Sequence, residues 1–278
     1  MTTHAATARA KVRRFRGGAP EDADDTLAAE EPLEIRLMHG TGDEHSLAVT
    51  MRTPGHDLEL VAGFLFTEGI LKRRADLAGI EHAEPRAAEE EGNIVRAILA
   101  DGVPVAISRA QRSFYTTSSC GVCGKTSLDA IWSHSPPAIP KGAPSLDAKV
   151  LAALPDALRR EQAVFERTGG LHACALFRPD GRLLTLREDV GRHNAVDKVV
   201  GERFLTQDLP LSDHILLVSG RASFEIVQKA VMAGIPFIAA VGAPSSLAVE
   251  AAKEFGMTLV GFLRGDSFNV YSGGQRVA

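Results

Sequence analysis

Alternating apolar residues in the first half of the chain predict a small sheet. Ile35 and Leu37 alternate with charged residues from Glu34 onward, and Leu47 to Met51 forms a second run of the same kind. A further pair of runs, Asn93 to Leu99 and Val103 to Ile107, is joined across Asp101-Gly102, a dipeptide typical of tight turns. We therefore expect two strands followed by a β-hairpin.

Between these strands, the spacing of apolar residues changes from two to three or four. After the turn at Thr53-Pro54-Gly55, one helical face collects Leu58, Val61, Ala62 and Leu65. Asp57 precedes this face and Gly69 follows it, so we expect Asp57 to cap the helix and Gly69 to end it.

The second half, after Gly169-Gly170, alternates strand-like and helical segments. The strand-like runs are Leu171 to Phe177, Leu183 to Leu186, Ile215 to Ser219, Phe237 to Val241 and Leu259 to Leu263. The helical runs are Asn194 to Phe204, Phe224 to Ala233 and Leu247 to Phe255. This order is typical of an α/β layered sheet with helices on its faces.

Charge and proline content divide the chain further. The first twenty residues contain five lysine or arginine residues and no acid, and an acidic run follows at residues 21–25. Residues 1–30 are therefore expected to form a disordered arm. Residues 31–135 are predicted to form a smaller α+β domain. The prolines of residues 136–145 predict a linker, and residues 146–278 a second, α/β domain.

Composition narrows the class of protein. The 278 residues are 45% apolar and carry a net charge of −4, which is typical of a globular chain and argues against broad nucleic-acid binding. No apolar run is long enough to cross a membrane. Three cysteines are too few for a disulfide framework, so a reduced, cytoplasmic protein is expected.

The segment from Ser118 to Lys125, SSCGVCGK, contains the most distinctive chemistry. Cys120 and Cys123 are flanked by small residues, and a helix is expected to begin near Thr126. Its N-terminal dipole and Lys125 both favour a thiolate, which could act as a nucleophile, form a persulfide or bind a metal. Half of a zinc or iron knuckle remains an alternative, although no second Cys-x-x-Cys pair exists. A thioredoxin-like redox pair is a third, which fits less well because the pair follows a hairpin.

Three predicted strand-to-helix joints of the second half carry small residues and hydrogen-bond donors. Helix N-termini at the carboxyl ends of strands bind anions, and guanidinium groups suit phosphate. The sequence therefore predicts one anionic-ligand cleft, for a nucleotide or pterin phosphate. Its candidate residues are Arg192, His193, Arg221, Ser223 and Ser245, together with Arg264.

The segment FLRGDS at the end of the last long strand has two interpretations. A carboxylate such as that of Asp266 can accept from both N–H groups of a guanine edge, while Arg264 can hold phosphate. The plainer interpretation is a tight, charged turn between two strands, and the residues alone favour it. The segment comprises Phe262, Leu263, Arg264, Gly265, Asp266 and Ser267.

At these motifs the chain resembles the FdhD family of formate dehydrogenase accessory sulfurtransferases, over roughly residues 30 to 275. The resemblance rests on these segments: RTPGHD at 52–57, GFLFTEG at 63–69, SCGVCG at 119–124, TGGLH at 168–172, REDVGRHNAVDK at 187–198 and SGRASFE at 219–225. The twelve-residue segment that ends at Lys198 is far more specific than the cysteine pair.

The resemblance implies a sulfur carrier. A cysteine desulfurase would supply persulfide sulfur to Cys120, with Cys123 as an essential neighbour. The protein would bind the molybdenum bis(molybdopterin guanine dinucleotide) cofactor through residues 262–267 and deliver sulfur to it for formate dehydrogenase. A homodimer is also implied.

The family's C-terminal domain is similar to the cytidine deaminase fold, so a zinc deaminase is a further class to test. Zinc deaminases need a His-x-Glu motif followed by Pro-Cys-x-x-Cys. His172-Ala173-Cys174 and His193-Asn194-Ala195 both lack the glutamate, and we expect no bound metal and no deaminase activity. The rival from another class is a non-catalytic zinc-knuckle module that docks two proteins.

Overall fold

The protein is described by a computed structural model that covers residues 5–39, 42, 44–85, 87, 90–103 and 124–278. Its architecture is mixed α/β, as the sequence pattern predicts. Within the described residues it contains a two-stranded, a four-stranded and a six-stranded sheet.

The N-terminal arm is not disordered, which corrects the expectation from its composition. It forms an antiparallel hairpin of β1, Thr7–Arg16, and β2, Ala19–Ala28. The ladder places Lys11 opposite Asp24 and Arg13 opposite Asp22. Cross-strand pairs of opposite charge favour a sheet, so the basic and acidic runs are two strands of one element.

The four-stranded sheet contains three of the four strands predicted in the first half. Its strands are β3, Glu31–Met38; β4, Glu44–Arg52; β5, Leu77–His82; and β6, Ile94–Leu99. The order is β4-β3-β6-β5, and only β3 and β6 are parallel. The expected partner of β6, residues 103–107, lies outside the described residues except for Val103. The observed neighbours of β6 are β3 and β5, of which β5 was not predicted.

Helix α1 spans Asp57–Thr67, as its spacing predicts. The expected cap is wrong, because the Asp57 carboxylate is buried and binds the buried Arg52 guanidinium at 3.0 and 3.2 Å. The residue before the helix, His56, has a φ of 57° and makes no side-chain cap.

The six-stranded sheet confirms the pattern of the second half. Its strands are β7, His172–Phe177; β8, Leu183–Asp189; β9, Ile215–Val218; β10, Phe237–Ala240; β11, Thr258–Arg264; and β12, Ser267–Ser272. The order is β12-β11-β10-β9-β7-β8. Strands β9, β10 and β11 are parallel, while β7 is antiparallel to both β8 and β9.

The remaining helices are numbered in chain order: α2, Gly124–Ser133; α3, Ala148–Glu161; α4, Ala163–Thr168; α5, Arg192–Leu205; α6, Phe224–Met232; and α7, Ser246–Glu254. Short 3₁₀ turns span Arg74–Asp76 and Gly274–Arg276. Helix α2 begins two residues before the expected Thr126, whereas α3 and α4 were not predicted. None of the helices in the described part of the chain is long and apolar enough to cross a membrane.

The two faces of the six-stranded sheet are covered differently. Cys174 and Leu176 of β7 belong to the large core that also contains residues of α1, α5, α6 and α7. Ala175 and Phe177 alternate to the other face, where they pack with buried residues of α3. The sheet is therefore a layer between α3 and the other helices.

The large core includes residues from both predicted domains. Helices α1 and α5 approach closely at Gly63 and Gly201, where an added Cβ would lie within 1.9 Å of a backbone carbonyl oxygen of the facing helix. Only residues without a side chain allow this approach. The domain boundaries at residues 135 and 146 remain a prediction.

The predicted linker is held by a buried guanidinium. Arg276 Nε donates to the Ala143 carbonyl at 2.9 Å, and Arg276 also donates to the Pro140 carbonyl and to Thr258 Oγ1. Leu146 forms a β-bridge with Val277. The end of the linker is thereby fixed to the six-stranded sheet.

Candidate functional site at the carboxyl edge of the six-stranded sheet

The loops predicted to bind an anion meet at one edge of the six-stranded sheet. Strands β8 to β11 end at this edge, and β7 begins there. Backbone hydrogen bonds join the loops: Gly242 N–H donates to the Gly220 carbonyl at 2.9 Å, and Phe262 N–H donates to the Gly242 carbonyl at 3.1 Å. This edge is where open α/β sheets bind ligands.

A cavity of about 620 Å³ opens at this edge on the α3 side of the sheet. Its volume is in the range of small-molecule sites. It is lined by Pro155, Asp156, Leu158, Arg159, Gln162, Phe165, Gly169, Gly170, Leu171, His172, Ser219, Val241, Leu263, Arg264 and Gly265.

The 262–267 segment ends β11 and turns into β12, which is the plainer of its two sequence interpretations. Leu263 is buried in the core beneath α3, whereas Arg264, Asp266 and Ser267 are exposed. Phe262 has a φ of 55° and is 42% exposed. A bulky residue in the left-handed region is strained by about 1–3 kcal/mol, and such strain is concentrated at binding sites.

Of the residues predicted to share one cleft, Arg264 lines this cavity, with its neighbours Leu263 and Gly265. The others, which do not line it, lie at helix starts or in the loop before α6 along the same edge. They are Arg192 and His193 at the start of α5, Arg221 and Ser223 before α6, and Ser245 before α7.

The helix-start residues differ in how their polar atoms are used. Ser245 Oγ accepts from Ala248 N–H at 3.3 Å, so it caps α7. His193 Nε2 lies 3.2 Å from Ser223 Oγ and 3.8 Å from a Glu225 carboxylate oxygen. The hydrogen bond from His193 lowers the pKa of Glu225 to about 2, with Ser223 and a backbone amide contributing.

Arg192 contributes an unpaired donor to the helix-start group. Its Nε is buried and has no hydrogen-bond partner among the residues that the structure describes. Buried polar atoms without partners are rare in folded proteins. This guanidinium is therefore suited to a negatively charged ligand.

His172 links the two groups of residues. It lines the cavity, and its ring packs against Gly220. Burial lowers its pKa, and the nearby Arg192 and His193 lower it further. The imidazole of His172 is therefore neutral at pH 7, available as a donor and an acceptor.

The loop between β8 and α5 is fixed by the buried Asp189 carboxylate. It accepts from Gly191 N–H at 2.8 Å and from Thr53 N–H at 3.1 Å, and it lies 2.7 Å from Lys198 Nζ. These contacts join the four-stranded unit to the edge that carries Arg192. The polar residues of the longest family-like segment thus orient the site.

The two cysteines of the predicted sulfur loop, Cys120 and Cys123, lie outside the described residues, so their roles remain predictions. The third cysteine, Cys174, is fully buried in β7. Burial raises the pKa of its thiol well above the usual range, and the nearby Asp197 carboxylate raises it further. Cys174 is therefore an unreactive core residue. The described residues contain no cluster of three or more potential metal ligands.

Sequence reasoning missed the cavity residues that α3 and α4 contribute, chiefly Arg159 and Phe165. The spacing of Leu151, Leu154 and Leu158 was a signal for α3. Nothing local in the sequence indicates that the last turn of α3 reaches the edge of the sheet.

Comparisons with known proteins agree on one family. A model of the FdhD/NarQ family matches residues 28–278. The chain is similar to the protein named sulfur carrier protein FdhD in three organisms. Identity is 55% over 275 residues in Streptomyces coelicolor (98% of this chain, 96% of the relative), 52% over 281 residues in Mycobacterium tuberculosis (98% and 99%) and 43% over 269 residues in Sulfurisphaera tokodaii (97% and 98%).

The fold has a counterpart among solved structures. A formate dehydrogenase accessory protein from Desulfotalea psychrophila superimposes with a TM-score of 0.75 at 26% sequence identity. The match covers 99% of this chain and 100% of that protein.

Proposed function

Because this chain belongs to the FdhD/NarQ family, we propose that it is a sulfur carrier required for formate dehydrogenase activity. One observation carries the proposal: relatives named sulfur carrier protein FdhD are 43–55% identical along nearly their whole length. The Cys-x-x-Cys segment at 120–123 supplies the chemistry that this role needs.

Sulfur is accepted at Cys120. Its thiolate attacks the terminal sulfur of a persulfide on a cysteine desulfurase, which forms a new S–S bond here and releases the desulfurase cysteine as a thiolate. Cys123 is the essential neighbour that the family resemblance implies. This assignment makes the protein a sulfurtransferase.

The sulfur is delivered to the molybdenum bis(molybdopterin guanine dinucleotide) cofactor, which is the substrate. Its nucleotide part binds at the carboxyl edge of the six-stranded sheet, at residues 262–267 and the helix-start residues Arg192, His193, Arg221, Ser223 and Ser245. Guanidinium groups and free helix N-termini suit its phosphates. The cavity volume suits one nucleotide rather than the whole cofactor.

The remaining partners follow from the same role. The desulfurase and formate dehydrogenase bind the protein in turn, in the cytoplasm, and the carrier is a homodimer. The six-stranded sheet has the layering of a cytidine deaminase, which is supported by its position between α3 and helices α5 to α7. A quantitative superposition on a deaminase tests this layering.

Intact-mass analysis tests the sulfur step. Incubation with a cysteine desulfurase and free cysteine adds the mass of at least one sulfur atom, which a thiol reductant removes. Cys120→Ala abolishes delivery of sulfur to the cofactor. Cys174→Ala is the matched control, because the buried thiol has no part in transfer, and it retains delivery. Full activity of Cys120→Ala overturns the assignment of Cys120 as the sulfur-accepting residue. A separate metal analysis that finds zinc bound stoichiometrically through Cys120 and Cys123 favours a zinc-knuckle docking module instead.

Ligand-dependent stability tests the cofactor site. GDP raises the melting temperature of the protein, because a ligand that binds only the folded state stabilises it. ADP is the control for base recognition and produces a smaller shift. An equal shift with ADP, or none with saturating GDP, contradicts guanine recognition.

A further inference from the structure

The cavity contains a guanidinium held on an aromatic ring, outside every motif that the sequence singled out. Arg159, in the last turn of α3, and Phe165, in α4, both line it. Arg159 Cζ lies 4.3 Å from the centroid of the Phe165 ring. Stacking uses the face of the guanidinium and leaves its in-plane N–H groups free to donate.

Phe165 is fixed in place from both sides of the short helix α4. The Glu188 carboxylate of β8 accepts from Val164 N–H at 3.0 Å and from Phe165 N–H at 2.8 Å. At the other end, Gly169 has a φ of 66° and donates its N–H to the Phe165 carbonyl at 2.7 Å. The backbone that carries the Phe165 ring is therefore held in place, and less entropy is lost when the Arg159 side chain is ordered by a ligand.

The charged groups that line the cavity favour an anion. Arg159 and Arg264 are two cations from separate elements, and Asp156 is the single carboxylate among the lining residues. Within the described part of the chain, neither guanidinium has an ion pair or a side-chain hydrogen bond, whereas buried arginines such as Arg52 are fully paired. Paired N–H donors on a planar fork match two phosphate oxygens at once.

We propose that Arg159, stacked on Phe165, binds the diphosphate of a guanine nucleotide in this cavity together with Arg264. The inference rests on the proposed function, because it identifies how the nucleotide part of the cofactor is held. It adds Arg159 of α3 and Phe165 of α4 to the residues that the family-like segments contribute.

Calorimetric titration with GDP tests the proposal, with Arg160→Ala as the matched control. Arg160 is the next residue on α3, is also exposed, and does not line the cavity. Arg159→Ala weakens GDP binding by about tenfold or more, as loss of a charged hydrogen bond predicts. Arg159→Lys has an intermediate affinity because it keeps the charge and loses the planar fork. Phe165→Leu weakens binding by about threefold, because the apolar volume remains while the stacking is lost. Arg160→Ala binds like the unmodified protein.

Two further ligands identify the recognised group. Guanosine, which lacks phosphate, binds the unmodified protein and Arg159→Ala equally. Inorganic diphosphate competes with GDP in the unmodified protein and competes at least about tenfold less well in Arg159→Ala.

The outcomes separate this inference from the proposed function. If Arg159→Ala and Arg160→Ala bind GDP equally while Arg264→Ala binds it weakly, the role of Arg159 is wrong and the cofactor site stands. If guanosine binding falls in Arg159→Ala as much as GDP binding does, the diphosphate assignment is wrong. If the unmodified protein binds no GDP, the cofactor site itself fails, and this inference fails with it.

Discussion

The interface of α1 with α5 and α6 and the carboxyl edge of the six-stranded sheet both concentrate charged groups, but only the interface pairs them completely. At the interface, Lys229 Nζ lies 3.0 Å from an Asp197 carboxylate oxygen, 3.0 Å from Thr67 Oγ1 and 3.1 Å from Glu68 Oε1. At the edge, the guanidinium groups of Arg159 and Arg264 have no carboxylate partner among the described residues. Paired buried charges hold helices in register, whereas unpaired cations at an open cavity are available to a ligand.

The same difference is visible in protonation. Burial alone would lower the pKa of Lys229, but the Asp197 and Glu68 carboxylates raise it above its usual range. The ammonium therefore stays charged inside the protein. At the edge, burial lowers the pKa of His172, and the nearby Arg192 and His193 lower it further, so that the opposing effect of the Asp189 carboxylate is outweighed. Lys229 at the interface therefore stays charged, whereas His172 at the edge is a neutral hydrogen-bond donor and acceptor near the cations.

The largest expected effect comes from breaking the interface network. Lys229→Met leaves the buried Asp197 carboxylate without its cation, which costs about 4 kcal/mol of unfolding free energy. Urea unfolding measures the loss. Lys253→Met, on the exposed part of α7, is the control and changes stability by less than about 0.5 kcal/mol. Equal stability of the two variants would mean that the network does not hold the helices together.

A smaller loss is expected where the helices touch. Gly201→Ala places a methyl group 1.8 Å from the Glu59 carbonyl oxygen, so α1 and α5 must move apart. Overpacking of this kind costs about 3 kcal/mol. Gly274→Ala is the control, because its nearest neighbour would be an ordinary 3.7 Å away. The difference in unfolding free energy between the two variants is the measurement, and a negligible difference contradicts the tight helix contact.

The ion pair of Glu59 with Arg187 is expected to contribute about 2 kcal/mol in a pH-dependent way. Burial raises the pKa of Glu59, but hydrogen bonds from Arg187 and His56 lower it to about 2, against an ordinary value of 4.5. Because the folded protein binds this proton less readily than the unfolded chain, the stabilisation is full above about pH 4.5. It is lost as the pH falls towards 2.

The stability difference between the unmodified protein and Glu59→Gln, followed by urea unfolding from pH 7 downward, measures this contribution. Arg187→Met removes the partner, and we expect it to abolish the same pH-dependent difference. A difference that stays constant from pH 7 to pH 3 would show that the ion pair is not its source.

The smallest effect on stability is expected at the sheet edge. Arg264→Ala removes an exposed side chain that has no partner among the described residues, so the unfolding free energy changes by less than about 0.5 kcal/mol. GDP binding nevertheless weakens by about tenfold. A loss of stability comparable with that of Lys229→Met would remove the contrast between the two regions.

The six-stranded sheet was predictable because its strands are short apolar runs separated by helical patterns. The hairpin β1–β2 was not predictable in this way. Its strands are matched by opposite charges across the pair, and neither strand shows a regular alternation of apolar and polar residues along its whole length. Asp57 illustrates a different failure. Its position at the start of the helix suits a cap, but its carboxylate instead binds the buried guanidinium of Arg52, five residues earlier.

The candidate site divides in the same way. Arg264 and the helix-start residues lie at or after the ends of strands, and the apolar runs of the sequence predict where those strands end. Arg159 and Phe165 reach the cavity only because α3 packs across one face of the sheet. Such placement depends on tertiary contacts that no local pattern records.

The close approach of Gly63 and Gly201 limits how this protein can be recombined. A chimera that exchanges residues 31–135 with those of a distant relative would replace α1. The new helix surface would then face α5, whose Gly201 lies against a backbone carbonyl of the present α1. Any side chain at either glycine would force α1 and α5 apart, and the loss of Thr67 or Glu68 would remove a partner of the buried Lys229. Residues 31–135 and 146–278 are therefore expected to be inherited and engineered as one unit, although the prolines between them are typical of a domain boundary.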